Sequence, residues 1–355
     1  MQKVKIPVMI SISVKSTISM AAGVAILAGC DAASSNPSSM TASAARRFSI
    51  LDPSTHVAVL RPDHGASRMK ATGAGQKLLY VSDTGTNDVQ VYDYPQGTNV
   101  GTLTGFNTPQ GECTDSAGNI YITNLGSSQI LEYGYDGTSP IATLNDPNGS
   151  LPVSCAVDAK SGNLAVANLL SSGSFEGGSV AIYPSGSETP TIYSDPVPTR
   201  EYFLDYDADG NVYVDGINGR TGTFRLAKMT PNGTFTQIKL AAKISYPGNV
   251  QYLGSYFAVG DQEGPESGKP DIYHVTPSGE IVGKTTLVAA GGGRVGDLVQ
   301  FTIRAVGTGK GPIVAPDAAR AAVYLDQWPG GSFGSAITAN LVQPVGTALS
   351  APPPK

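Results

Sequence analysis

The chain has 355 residues, with 43 glycines, 25 prolines and only 14% charged residues. This composition is typical of a large, turn-rich all-β domain, and no long amphipathic helical pattern is present. Removal of residues 1–29 would take away three lysines and no acidic residue, leaving 20 basic against 28 acidic residues. A chain this acidic would be repelled by the phosphate backbone of DNA or RNA, so nucleic acid is excluded as an expected partner.

The N-terminus has the organisation of an export signal. Lys3 and Lys5 precede two apolar runs, which end in Leu-Ala-Gly and then Cys30. Small residues before a cleavage point are typical of such signals. The four residues Leu27-Ala-Gly-Cys30 resemble the bacterial lipobox. This resemblance implies removal of residues 1–29, lipidation of Cys30 and attachment to a membrane of the cell envelope. The alternatives are an ordinary signal peptide, or a single membrane span with a chance cysteine.

The next segment, residues 30–76, begins with a low-complexity run of Ala, Ser, Asn and Pro. Sequence of this type is flexible, so we expect the lipidated N-terminus to continue into a tether. A folded domain is predicted for residues 77–350. Residues 351–355 are expected to be a disordered tail.

A unit of roughly 40 residues recurs through the folded region. Its clearest copy begins at Pro109 and contains four short apolar or β-branched segments, separated by turn residues. Four antiparallel strands in roughly 40 residues make one β-propeller blade. The third segment of the unit recurs at Val89–Tyr92, Ile130–Tyr133, Val180–Tyr183, Leu226–Met229, Ile272–Val275 and Val323–Leu325. We therefore predict an all-β, six-bladed β-propeller of four-stranded antiparallel blades, although the irregular last two units leave five or seven blades open.

The two ends of this repeat array complement each other. The first unit begins at Leu78–Val81, which matches a second strand, so its innermost strand is missing. Pro344–Ser350 aligns with the innermost strands that begin at Pro109 and Pro152. A C-terminal strand that completed the first blade would close the ring and remove an open sheet edge. The alternative is an ordinary C-terminal tail.

The unit resembles the NHL repeat and the related six-bladed propellers of the SMP-30/gluconolactonase type. The resemblance is carried by Pro109, Gly111, Asp115, Gly118, Asn119, Ile120, Tyr121, Ile122, Asn124 and Ile130. NHL units often have Arg just before the third strand, where this chain has Gln129. This difference weakens any link to the RNA-binding members.

The gluconolactonase resemblance implies a divalent cation held in the channel by a Glu, an Asn and an Asp. These three ligands cannot be assigned to this chain residue by residue. Glu112 or Glu201, together with the polar residues described below, is the candidate set.

Two cysteines remain after Cys30, and both fall in the folded region. Cys113 and Cys155 occupy matching innermost strands of neighbouring units. An exported protein meets an oxidising environment, so we predict a disulfide between them. The alternative is a pair of small buried thiols.

An Asp or Asn closes the second strand of every unit. Loops between second and third strands lie on one face of a propeller, so these six side chains would surround one end of the central channel. Four of them are carboxylates, which would favour Ca²⁺, another divalent cation or a polyhydroxy ligand. The alternative is that each side chain caps its own turn. The six are Asp83, Asn124, Asn168, Asp215, Asp261 and Asp317.

One acidic stretch, Asp205–Asn211, resembles the start of a calcium-binding loop because oxygen-bearing side chains alternate before Gly210. A complete loop needs a bidentate acid at its twelfth position, where Gly216 stands. The stretch also aligns with the turns that follow Asp115 and Asp158. We therefore interpret it as a hairpin turn.

No zinc-protease motif or hydrolase nucleophile elbow occurs in the sequence. Together with the unassigned metal ligands, this favours a non-catalytic envelope lipoprotein that requires no cofactor and binds a protein or carbohydrate partner. The alternative is a divalent-metal-dependent lactonase or related hydrolase.

Overall fold

The computed structural model describes residues 65–353, except 72, 74, 148, 172–176, 198, 265–267 and 305–308. The export signal, Cys30 and the first part of the predicted tether lie outside the described residues. Within the described ranges, no helix is long and apolar enough to cross a membrane. Six antiparallel sheets succeed one another around a central channel, which confirms the prediction of a six-bladed β-propeller.

Blades 2 to 6 each consist of four consecutive strands, and blade 1 combines strands from both ends of the chain. The strands of blade 1 are β1 (Arg68–Met69), β2 (Lys77–Asp83), β3 (Asp88–Tyr94) and β4 (Asn99–Leu103), later joined by the last strand. Those of blades 2 and 3 are β5 (Pro109–Thr114), β6 (Ile120–Asn124), β7 (Gln129–Tyr133), β8 (Pro140–Asn145), β9 (Pro152–Val157), β10 (Leu164–Asn168), β11 (Ser179–Tyr183) and β12 (Thr191–Tyr193). A 3-10 helix, Leu125–Ser127, follows β6.

The second half of the chain repeats this arrangement. Blades 4 and 5 contain β13 (Thr199–Tyr206), β14 (Val212–Asn218), β15 (Phe224–Met229), β16 (Phe235–Ile238), β17 (Pro247–Tyr252), β18 (Phe257–Asp261), β19 (Asp271–Val275) and β20 (Ile281–Thr285). Blade 6 contains β21 (Thr302–Ile303), β22 (Gly311–Asp317), β23 (Ala322–Trp328) and β24 (Ser335–Ile337), and the chain ends in β25 (Pro344–Ser350).

The ring is closed by β25, as the alignment of the repeats predicts. It pairs antiparallel with β2, from Leu78 opposite Ser350 to Asp83 opposite Pro344. Blade 1 therefore has the strand order β1-β4-β3-β2-β25, with β25 innermost. All of β25 is buried, because it lies between β2 and the innermost strand of blade 2.

A short strand from the predicted tether adds to the opposite edge of blade 1. Arg68 and Met69 pair with Thr102 and Gly101 of β4. A Cβ on Gly101 would lie only 2.5 Å from the sulfur of Met69, so the missing side chain leaves room for β1. A two-residue strand has no periodic pattern, which is why the sequence did not predict it.

Aromatic side chains fill the spaces between neighbouring blades. Tyr213 and Phe257 pack with ring centroids 4.0 Å apart between blades 4 and 5. His274 lies between Tyr256 and Trp328, with centroid distances of 5.1 and 4.7 Å. Such packing buries both faces of the middle strands, which explains why second strands such as β10 (Leu164–Asn168) are largely apolar.

The predicted disulfide is present and joins the innermost strands of blades 2 and 3. Cys113 and Cys155 are bonded, with Cα atoms 5.6 Å apart and a sequence separation of 42. In the chain-entropy treatment, closing a loop of that length contributes about 4 kcal/mol to stability.

The closure of blade 1 makes a direct prediction about the C-terminus. A chain ending at Gln343 lacks β25, so β2 would present an unpaired edge to the channel and the neighbouring apolar faces would be exposed. We expect it to lose the cooperative thermal transition of the full chain, measured by circular dichroism. A chain ending at Ala351 keeps β25 and is the control. Equal unfolding temperatures for the two truncations would contradict the closure.

Candidate functional site

Five of the six predicted polar residues end their second strands, whereas Asp215 lies within β14, three residues before its end at Asn218. Those that end a strand lie at the end of the channel where the innermost strands begin. Asp83 pairs with Pro344, and Asp261 pairs with Pro247. All six are buried; they are Asp83, Asn124, Asn168, Asp215, Asp261 and Asp317.

Three of the carboxylates bind the backbone of the loop that enters the innermost strand. Asp83 accepts hydrogen bonds from the amides of Val342 and Gln343 at 2.6 and 2.9 Å. Asp261 accepts from Ser245 and Tyr246 at 3.0 and 3.1 Å. Asp317 accepts from Gly296 and Asp297 at 2.8 and 3.1 Å, and Arg320 adds an ion pair at 2.7 Å.

The other three residues make similar local bonds. Asn124 accepts from the amide of Asn107 at 2.7 Å, and Asp215 accepts from that of Phe203 at 3.0 Å. Asn168 donates to the hydroxyl of Ser179 at 3.3 Å. Four of the six side chains therefore hold a loop, whereas Asn168 and Asp215 bind strand residues, Ser179 of β11 and Phe203 of β13. No group of three His, Cys, Asp or Glu residues suited to a metal occurs among the described residues, and ligand binding by the six stays a prediction.

Burial dominates the electrostatics of these carboxylates. It raises the pKa of Asp83, Asp215 and Asp261, and the backbone amides that bind each group only partly oppose the rise. A carboxylate that accepts several amide hydrogen bonds is suited to fixing a loop.

The acidic stretch at Asp205–Asn211 forms a hairpin turn, as interpreted from the sequence. Asp207 accepts hydrogen bonds from the amides of Asp209 and Asn211, both at 2.9 Å. The turn after Asp115 has the same pattern, with amide donors at Ala117 and Asn119.

The innermost strands β25, β5 and β9 of neighbouring blades approach one another closely. A Cβ on Gly346 would lie 2.2 Å from the carbonyl oxygen of Gln110, and one on Gly111 would lie 2.6 Å from that of Val153. Only glycine permits such close contacts between backbones.

Gln300 crosses the channel at the same level. Its Oε1 accepts hydrogen bonds from the amides of Glu112 and Thr347, both at 3.1 Å, and its Nε2 donates to the carbonyl oxygen of Glu112 at 3.0 Å. The side-chain amide therefore satisfies backbone groups of β5 and β25 much as another strand would.

Blades 5 and 6 are joined by the same type of contact. Asn249 donates from Nδ2 to the carbonyl oxygen of Phe301 at 2.7 Å. Gln251 donates to the carbonyl oxygen of Ile303 and accepts from its amide, both at 2.8 Å. Side-chain amides thus fix the short strand β21 to β17.

A cavity of about 410 Å³ lies where the innermost strands end. We call it the channel cavity. None of the six predicted ring residues lines it. Its polar lining residues are Glu112, Thr114, Asp205, Asn249, Gln251, Gln300, Thr302 and Arg304, and the Cys113–Cys155 disulfide forms part of its wall.

Glu112 belongs to the wall of this cavity, but its carboxyl group is directed away from it, toward β2 of blade 1. Its side chain is 2% exposed. Its Oε1 accepts a hydrogen bond from the hydroxyl of Ser82 at 2.6 Å, whereas Oε2 has no hydrogen-bond partner. Burial raises the pKa of Glu112 to about 8, opposed by the hydroxyl of Ser82 and the amide of Ala348.

Asp205 is the other acid in the lining. Its oxygens accept hydrogen bonds from the amides of Tyr206 and Tyr252 at 2.8 and 2.7 Å. Burial raises the pKa of Asp205 to about 7, and these two amides limit the rise.

Glu201, named with Glu112 as a candidate metal ligand, does not line the channel cavity. Burial raises its pKa well above the usual range; the charges of Asp195 and Asp215 add to this, and Arg225 opposes it. Arg225 forms a buried ion pair with Asp195 at 2.7 Å. The structure thus does not bring the two glutamates into one cavity.

Sequence reasoning named Glu112 only through the gluconolactonase resemblance and missed the cavity itself. A signal was present, because Glu112 occupies the position in its innermost strand that Cys155 and Thr347 occupy in theirs. Neighbouring units have small side chains at this position, so a buried carboxyl group there is not explained by packing alone.

No protein-family model matches the chain, and no curated protein matches it. Solved structures resemble it in fold. A chain of the nidogen/laminin complex has a TM-score of 0.61 and 10% identity, covering 77% of this chain and 98% of that chain. A Bacteroides caccae protein of unknown function has a TM-score of 0.57 and 15% identity, covering 78% and 99%. A Staphylococcus aureus virginiamycin B lyase with quinupristin has a TM-score of 0.49 and 14% identity, covering 72% and 79%.

At these identities the likeness to solved structures concerns the fold alone. Together with the six sheets in a ring, it shows that the chain is a six-bladed β-propeller protein. Membership of the NHL or SMP-30 families stays a prediction.

The contacts of Asp261 predict a structural role that can be measured. Asp261→Ala removes the acceptor for the amides of Ser245 and Tyr246, so we expect the free energy of unfolding in urea to fall by about 2–4 kcal/mol. Asp209→Ala, at an exposed turn position, is the control and should change it by less than about 0.5 kcal/mol. Equal stability of the two variants would show that Asp261 does not hold its loop.

Proposed function

We propose that this protein is a lipid-anchored component of a bacterial cell envelope and that its propeller is a non-catalytic binding module. A protein or carbohydrate partner would be held on the side that faces the periplasm or the exterior. The observation that carries the proposal is the channel cavity, whose walls are fixed by side-chain amides before any ligand arrives. Preformed polar cavities of this size bind ligands at a small entropic cost, since little has to be ordered on binding.

The lipid anchor is inferred from the sequence. The Leu-Ala-Gly-Cys box places Cys30 directly after an apolar run, and more than 30 residues separate it from β1. Such a segment would let a propeller reach partners away from the membrane surface.

Substitution at Cys30 tests the anchor. Cys30→Ser removes the acceptor thiol, so the protein should move from the membrane fraction to the soluble fraction and lose incorporation of labelled palmitate. The control is the Cys113→Ser/Cys155→Ser variant, which removes the other two cysteines but keeps Cys30 and should stay with the membrane. Membrane association of the Cys30→Ser protein without label would instead indicate an uncleaved apolar span.

The resemblance of the repeat to gluconolactonase propellers favours a second candidate, a divalent-metal-dependent lactonase. This function requires a bound cation, which would stabilise the folded state by about 2.7 kcal/mol at a hundred times its dissociation constant. Thermal unfolding of the mature chain carrying Cys30→Ser, in EDTA and then in excess Ca²⁺, Mg²⁺, Mn²⁺ or Zn²⁺, measures this. We expect no shift if the protein is a non-catalytic binding module; a shift of several degrees with one metal would favour the lactonase.

A further inference from the structure

A second cavity lies outside the channel, beside the loop that connects blades 4 and 5. Its volume is about 690 Å³, which exceeds that of the channel cavity. It is formed by the start of β15, the end of β16, residues 239–245 of the connecting loop, and Glu263 from the loop after β18. We call it the interblade cavity. None of the site residues predicted from the sequence lines it.

The wall of the interblade cavity is basic, although the chain as a whole has more acids than bases. Arg225, Lys239 and Lys243 line it, against one acid among its described lining residues, Glu263. The channel cavity has one base against two acids. A cavity of about 210 Å³ between blades 3 and 4 has two acids and no base among the lining residues that the structure describes. Basic residues therefore converge on the interblade cavity against the charge balance of the chain.

The two lysines carry charge that no neighbouring acid neutralises. Arg225 is 8% exposed, and its guanidinium pairs with Asp195 at 2.7 Å. Lys239 and Lys243 are exposed, and neither forms an ion pair with a residue in the described part of the chain. Two such ammonium groups in the wall of one cavity indicate a site for an anion.

The type of base favours phosphate over carboxylate. A carboxylate is matched best by the planar fork of an arginine, but Arg225 already binds Asp195. Lysine acts as a point charge, and two lysines balance the charge of a phosphate monoester near neutral pH. Phe224 and Leu240, both partly exposed, line the same cavity. The carbon part of a ligand can therefore pack beside its phosphate.

We propose that the interblade cavity binds the phosphate group of a small organic phosphate or of a phospholipid headgroup, through the ammonium groups of Lys239 and Lys243. The phosphate is common to both sources, and the experiment below distinguishes them. This inference goes beyond the proposed function, because the site lies outside the channel cavity. Its failure would leave both the lipid anchor and the channel cavity to be judged by their own experiments.

Two binding measurements on the mature chain carrying Cys30→Ser test the proposal. One is a ³¹P NMR titration with glycerol 3-phosphate, and the other is co-sedimentation with vesicles of equimolar phosphatidylcholine and phosphatidylglycerol. We expect Lys239→Gln and Lys243→Gln each to weaken binding by about tenfold. The matched control is Lys160→Gln, which alters an exposed lysine outside the cavity and should weaken binding by less than about twofold.

A third variant tests the sign of the electrostatic argument. Glu263→Gln removes the acid from the described wall, so it should strengthen binding of the phosphate. Unfolding temperatures of all variants verify that they are folded.

The two measurements identify the source of the phosphate. Binding of glycerol 3-phosphate that weakens in both lysine variants would indicate a free organic phosphate. Binding to the vesicles alone, weakened in the same variants, would indicate a phospholipid headgroup.

Four results would overturn the proposal. Equal weakening in Lys160→Gln would mean that only the overall charge of the protein matters. Binding that persists in the Lys239→Gln/Lys243→Gln double variant would place the phosphate elsewhere. Succinate that binds as tightly as glycerol 3-phosphate would show a site for anions in general. Binding of neither glycerol 3-phosphate nor vesicles would exclude a phosphate site.

Discussion

The pairing of β25 with β2 is the contact on which the rest of the ring depends. Every blade has an innermost strand whose outer neighbour is its own second strand, and blade 1 obtains that strand only from the far end of the chain. Without it, the backbone groups of β2 that pair with β25 would lose their partners and leave an open sheet edge at the channel. Closure thus ties the first and last blades together and makes the propeller one cooperative unit.

The same constraint continues into the channel, because one edge of every innermost strand has no neighbouring strand. This protein satisfies several of these edges with side-chain amides, above all those of Gln300 and Gln251. Next to these contacts and the close approach at Gly111 and Gly346, a polar cavity lies where the innermost strands end. The cavity is therefore a consequence of how the inner edges are satisfied.

Local patterns in the sequence predicted much of the fold. Turn residues and β-branched segments repeat in every blade, so the third strands, the closing strand and the Cys113–Cys155 pair follow from alignment of the repeats. The site was harder to predict, because the orientation of a buried carboxylate depends on the loop packed against it. Asp83 and Asp261 were therefore predicted to lie near a ligand, yet they accept hydrogen bonds from backbone amides. The cavity is formed instead by residues such as Gln300, which belong to no recognisable motif.

Amide hydrogen exchange across the innermost strands tests most directly whether the closed ring forms a rigid channel. The account predicts that the segments of β25 and β5 exchange only through global unfolding, because Thr347 and Glu112 donate their amides to Gln300. Their opening free energies should then equal the free energy of unfolding measured in urea. Exchange of residues 344–350 at the rate of a frayed terminus, with the other blades still protected, would contradict the closure and the preformed cavity that depends on it.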